Sequence, residues 1–324
     1  MDQHYLPKCY LKEFCQVGDD FLYKINCGLI KYGRRAGYKK MHPSEGCYEK
    51  DYFTITEDFK KLYPRFQSYE PYFIEKQFHS YETIYPSIIN KLKLGQKWLS
   101  FKDAQILIYA LFEFKIRNRF FRDKTEISKR QVAIDLFDEY LMNTKKRAWA
   151  LQKFHITEDE LTKHVSMMKD DIISDPHYAK HSHIAAIMMR YENDNSTHDF
   201  VISNLLMYKW VIFKSDRLFL TSDNPGYSIG VDNIVYNTRF LDGFHFVFPL
   251  TPSMCLCITD DVIDFKYYDN MSIKHIESGL VSDDIVSRIN NMCLKHVVNY
   301  VYSGDKNVIE FYSKDIKWVG ADSK

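Results

Sequence analysis

Between about residues 68 and 208, apolar positions recur every three or four residues, the spacing of helices with one buried face. Three helix starts carry capping sequences: Ser100 with Asp103, Ser128 with Gln131, and Thr157 with Glu160. Asp175-Pro176 marks a fourth, since Asp caps and Pro is tolerated in a first helical turn. After Ser128, the positions Val132, Ala133, Leu136, Phe137, Tyr140 and Leu141 predict a buried stripe. Beyond residue 208 the apolar runs shorten. Residues 210–213 and 218–221, split by a polar turn, predict a hairpin. Residues 244–250 and 254–259 predict two more strands, and 308–312 a last one. One helix over 283–302 interrupts them, with Ser282 as cap, Asp283 and Asp284 at its positive end, and Gly304 to close it. Near the start, 21–25 and 29–32 flank Asn26-Cys27-Gly28 as a small hairpin.

The expected fold is therefore α+β: a helical central region packed with a mainly antiparallel sheet from the C-terminal third, plus a small N-terminal hairpin. Without repeats or a Pro/Gly/Ser-rich linker, the expectation is a single domain over 1–324. Its helical subregion is 68–208 and its β-rich subregion 209–324.

Composition narrows the class of molecule. With 44 Lys+Arg against 43 Asp+Glu the net charge is +1, which argues against wrapping nucleic acid by bulk electrostatics alone. Basic segments are nonetheless clustered. Arg34, Arg35, Lys39 and Lys40 interleave with Tyr32 and Tyr38, as a surface for single-stranded nucleic acid would, and Arg119 and Arg122 belong to a second cluster. The alternative is a set of solvated loops and helix ends. Aromatic residues form 16% of the chain, enough to drive a large packed interior. Seven cysteines, an odd number with no CxxC pair, suit a reducing cytoplasm better than a disulfide framework. No signal peptide is expected, and no apolar run approaches the length of a membrane helix.

Six separated pieces carry a family resemblance. They are His4-x-x-Pro7-x-x-Tyr10-Leu11-x-x-Phe14; the paired Glu75 and Glu82; Arg117-Asn118; Thr221-Ser222-Asp223-Asn224-Pro225; Phe248-Pro249-Leu250-Thr251-Pro252; and Asn290. In this order they resemble the domain of unknown function 4238 family, uncharacterised and mostly bacterial proteins, over nearly the whole chain. Arg119 stands where that family usually has proline. The resemblance implies no activity. A sporadically distributed bacterial family suggests a defence or toxin effector.

The chemistry rests on the residues. Glu75 and Glu82, seven apart, share one face of a helix about 10 Å apart, so a cation between them requires ligands from another element. Asp223, in a turn after a strand, is the candidate; with Asn224 it completes an oxygen set suited to magnesium or manganese. His4 is the candidate acid or base and Arg117 the candidate phosphate clamp. The expected function is a metal-assisted phosphodiesterase or nuclease acting on RNA or DNA. One alternative is a non-enzymatic module binding nucleic acid or protein; another is a small-molecule hydrolase with an aromatic pocket. At the level of residues, the competing account pairs the glutamates with Arg117 and Arg122 and makes the SDNP segment only a turn. His177, His181 and His183 offer a weaker metal pattern.

Overall fold

A computed structural model describes residues 2–16, 18–31, 36–192, 197–238, 240, 243–263 and 272–313. The strands are β1 (Asp2–His4), β2 (Leu22–Asn26), β3 (Tyr38–Met41), β4 (Tyr48–Lys50), β5 (Trp98–Ser100), β6 (Tyr208–Lys214), β7 (Thr221–Ser222), β8 (Tyr227–Ile229), β9 (Val235–Tyr236), β10 (His245–Thr251), β11 (Met254–Ile263), β12 (Ile273–Leu280) and β13 (Tyr300–Ser303). The helices are α1 (Lys8–Lys12), α2 (Cys27–Lys31), α3 (Glu57–Leu62), α4 (Phe73–Lys93), α5 (Phe101–Ile116), α6 (Arg119–Met142), α7 (Thr144–Phe154), α8 (Glu158–Ser174), α9 (Tyr178–Glu192), α10 (Thr197–Met207), α11 (Asp283–Leu294) and α12 (Lys306–Ser313).

The fold is α+β, with helices α4 to α10 in the centre. A seven-stranded sheet runs in the order β5-β12-β6-β11-β10-β8-β9, and β12–β6 is its one parallel pair among the described strands. A four-stranded sheet, β3-β2-β13-β7, joins the two ends of the chain, and β1 pairs with β4. The main core lies between α1, α4, α5 and the large sheet, where Tyr10, Tyr85, Phe114 and Phe248 meet edge-on or tilted. α5 carries this packing because it is apolar nearly all round, burying Leu107, Ile108, Leu111 and Phe114.

Local signals placed several elements. Ser100 accepts from the Asp103 amide, and Thr157 and Glu160 form a reciprocal capping box. Strands at 245–251 and 254–263 match the expected pair.

Six expectations need correction. Ser128 lies inside α6, because Asn118 caps that helix ten residues earlier. The stripe after it is not fully buried: Val132 is 55% and Leu136 48% exposed, because this part of α6 faces a small satellite cluster with α7 and α8. The partner of β2 is β3, not 29–32; Asn26 accepts the Leu29 amide and turns the chain into α2. β6 pairs with β11 and β12, and Thr221–Ser222 with β13, so no hairpin joins 210–213 to 218–221. The helix from Asp283 stops at Leu294, 300–303 form a strand, and 308–312 lie in α12, burying Ile309 and Tyr312 one turn apart.

Candidate functional site

β1 and the first residues of α1 cross the end of α5, which brings His4, Glu75, Glu82 and Arg117 together. Arg117 directly follows α5 and is 1% exposed. Its Nη2 donates to Glu82 Oε1 at 2.6 Å and to the His4 carbonyl at 2.9 Å, and its Nε donates to the Tyr5 carbonyl at 3.3 Å. The guanidinium stands 4.2 Å from the centre of the Phe78 ring, which lies between the two glutamates on α4. An arginine fork suits this position because one planar group holds a carboxylate and two carbonyls while its face covers an aromatic ring. The expected phosphate clamp is thus a buried tie between the N-terminal segment, α4 and α5.

Glu75 and His4 flank that ion pair. Burial raises the Glu75 carboxyl above its usual range; Arg117 opposes the shift and Glu82 adds to it. Its Oε1 is buried without a hydrogen-bond partner. Burial lowers the His4 imidazole, and a contact between Nε2 and the Ser44 carbonyl at 3.2 Å opposes it. Glu82, Arg117 and the exposed Lys8 all act electrostatically on His4. Cys9 shares the same field, and burial pushes its thiol up to about 12, so it stays protonated at neutral pH. The arrangement has one carboxyl displaced upward and one imidazole displaced downward beside a common ion pair, which brings their proton affinities closer together.

Asp223 and Asn224 belong to a different structure. Asp223 is 1% exposed; Oδ1 accepts the Val298 amide at 3.1 Å, and Oδ2 the amides of Asn299 at 2.7 Å and Tyr300 at 3.0 Å. This carboxylate closes the turn between α11 and β13. Asn224 Oδ1 accepts from Lys115 Nζ at 2.7 Å and Asn118 Nδ2 at 2.8 Å, while its Nδ2 donates to the His296 carbonyl. Lys115 also donates to the Gly226 carbonyl at 2.8 Å. The family-like pieces are bonded to one another. The Tyr10 hydroxyl meets Thr221 Oγ1 at 2.7 Å and donates to the Pro249 carbonyl at 2.9 Å. Asn290 accepts the Leu220 amide and donates to the Leu218 carbonyl. Arg119 is the first residue of α6, a position where proline is also at home, so the departure from the family pattern leaves the backbone intact.

These contacts bear on the expected metal set. Both oxygens of Asp223 are engaged, Asn224 Oδ1 accepts two donors, and a cation at Glu82 would face the Arg117 guanidinium. The four side chains therefore do not fit a shared magnesium or manganese ion. Among the described residues no three His, Cys, Asp or Glu side chains gather as metal ligands. His181 Nδ1 meets Asp175 Oδ2 at 3.0 Å, and His183 Nε2 meets the Ile116 carbonyl at 2.8 Å.

Of the basic residues named above, Lys40, Arg119 and Arg122 are paired with acids. Glu49 binds both Arg119 at 3.4 Å and Arg122 at 3.1 Å; Arg122 also pairs with Asp123. Lys40 pairs with Asp19 at 2.7 Å, and Lys39 is exposed on β3. Arg34 and Arg35 lie outside the described residues. Of the predicted glutamate pairings, Glu82–Arg117 forms, whereas Arg122 takes Glu49.

Sequence reasoning missed Lys115 and the ion pair between Glu113 and Arg190, 2.7 Å apart. All three charges hide inside apolar helical runs, and only the long apolar stretch around Lys115 hints that its ammonium is buried. No described helix is long and apolar enough to cross a membrane. No curated protein matches the chain. No solved structure matches it either. A family described as "Protein of unknown function (DUF4238)" matches residues 2–307, the span that holds the His4–Arg117 cluster and the whole buried lattice around Asp223, and the chain belongs to that family.

Proposed function

We propose that the chain is a ribonuclease that works by acid–base catalysis without a metal ion. The observation that carries the reading is the pair of displaced groups, Glu75 raised and His4 lowered, beside the Glu82–Arg117 ion pair. RNA supplies its own nucleophile, the 2′-hydroxyl, so a base and an acid suffice. Glu75 takes the 2′-hydroxyl proton as the oxygen attacks phosphorus; His4 gives a proton to the departing 5′-oxygen. The products are a 2′,3′-cyclic phosphate and a free 5′-hydroxyl. Arg117 is a positioning residue, and exposed Lys8 meets the phosphate charge. The reading adds a cytoplasmic setting, supported by seven free thiols, and a defence or toxin role.

The ordinary values of the two groups are 4.5 and 6.5, and both shifts point inward, so activity follows a bell-shaped pH profile narrower than that of the unshifted groups. Activity rises as Glu75 ionises and falls as His4 loses its proton. The test uses labelled RNA, labelled DNA and RNA methylated at its 2′-oxygens, with and without EDTA. Cleavage of plain RNA alone, unaffected by EDTA and reduced roughly 10²-fold or more by Glu75→Gln or His4→Ala, supports the reading. Cleavage lost in EDTA restores the metal-assisted nuclease. Equal cleavage by wild type and both variants sinks the site.

One observation favours a protein-binding module instead. The outer face of α6 to α8 encloses a groove of about 460 Å³ walled by Phe137, Tyr140, Trp149, Phe154 and Met168. Trp149 and Phe154 are half or more exposed there. Failure to cleave any of the three substrates turns attention to that face.

A further inference from the structure

A second concavity lies between the C-terminal part of α5 and α9. Its volume is about 310 Å³, at the small end of the range that holds organic ligands. Phe112 and Phe240 form one aromatic wall, their rings 5.9 Å apart, and Phe121 and His183 form another with rings 6.1 Å apart. Ala186 and Ile187 on α9 complete the apolar lining. Among the described lining residues few side chains are polar. Thr238 brings a hydroxyl, and Arg190 reaches the cavity with its guanidinium held by both oxygens of Glu113, at 2.7 and 3.3 Å.

We propose that this cavity binds an uncharged, flat aromatic heterocycle of one or two fused rings. Aromatic walls on several sides favour a ligand with π faces, which gains from stacked and edge-on contacts beyond simple burial. Arg190 would ordinarily select an anion. Here Glu113 already holds the guanidinium fork, and a carboxylate or phosphate entering the cavity would have to displace it. The polar edge of a heterocycle instead finds the Thr238 hydroxyl and the rim of the ion pair. The cavity uses no side chain of the His4–Glu75 cluster, so the inference stands apart from the ribonuclease reading.

Indole and adenine serve as probes, with indole-3-acetate and adenosine monophosphate as their anionic counterparts, in calorimetry and saturation-transfer NMR on the full chain. Ala186→Leu fills the cavity from α9, and Thr238→Phe fills it from a partly exposed position outside the helices. Saturable binding of indole or adenine, weakened about tenfold or more by either filling variant and by the added anionic group, is the expected result. Absence of saturable binding at millimolar concentration overturns the proposal. So does unchanged affinity in Thr238→Phe with the melting temperature preserved, or tighter binding of the anions.

Discussion

Lys115 offers the sharpest physical test of the buried lattice. Its side chain is fully buried, and loss of water drives its ammonium down from 10.5 to about 7. The neutral amine has two N–H groups, and two acceptors await them, Asn224 Oδ1 and the Gly226 carbonyl. The folded protein can therefore release the proton and keep both hydrogen bonds. Cys293, in electrostatic reach, is pushed up to about 12 by burial and stays neutral through the relevant range. Because the folded value lies below the unfolded one, the unfolded chain holds the extra proton between pH 7 and 10.5, and stability contributed by this site rises with pH there. A tenfold change in proton affinity is about 1.4 kcal/mol, so the site should gain roughly 3 kcal/mol between pH 7 and about 9.5. Lys115→Met removes the titration but not the other groups that respond to pH. Urea unfolding of both proteins, followed by circular dichroism across this range, gives the difference directly. The wild type should gain on the variant as pH rises. A difference that stays constant to within about 1 kcal/mol would refute the argument, because it would mean that the lysine keeps its proton when the protein folds.

Two further substitutions probe the same lattice. Asp223→Asn replaces an oxygen that accepts two backbone amides, or else the one that accepts Val298, with a donor, and should destabilise by about 2–4 kcal/mol in urea unfolding; retained stability would mean the turn does not depend on the carboxylate. Gly226 has φ +72°, and an added Cβ would stand 2.5 Å from Phe248 and 2.8 Å from the Val247 carbonyl. Gly226→Ala should therefore destabilise by about 3 kcal/mol in the same assay, whereas a loss below about 1 kcal/mol would show that the turn relaxes easily.

The features legible in the sequence are those decided locally. A Ser or Thr three residues ahead of an acid caps a helix whatever lies beyond it, so α5 and α8 begin as expected. Residues 300–303 are different. Their apolar spacing continues the pattern of α11, but three amides just before and at the strand start are held by Asp223, some seventy-five residues earlier in the chain. A propensity argument cannot see a partner at that separation. The same limit explains the site. A carboxylate in a turn after a strand gives one sequence signal whether it binds a cation or closes a backbone turn, and only its surroundings decide. For Asp223 the surroundings are amides. The convergence of Glu82 with Arg117 was legible because a buried helix end needs a partner for its cation, and a paired-glutamate face supplies one.

This division separates two roles within the family-like pieces. Tyr10, Asn118, Thr221, Asn224 and Asn290 bond to groups on other segments and spend their polar atoms inside the protein. Glu75 does not: its buried Oε1 lacks a partner, and burial of an unsatisfied carboxyl oxygen is unfavourable for folding. Arg117 joins the two sets. It begins where α5 leaves Lys115 in the lattice, and its fork fixes the carbonyls of His4 and Tyr5. The lattice therefore sets where α5 ends, and that end sets where His4 stands. A substitution deep in the lattice should reach the candidate site through this arginine, by moving His4 relative to Glu75, without touching either side chain.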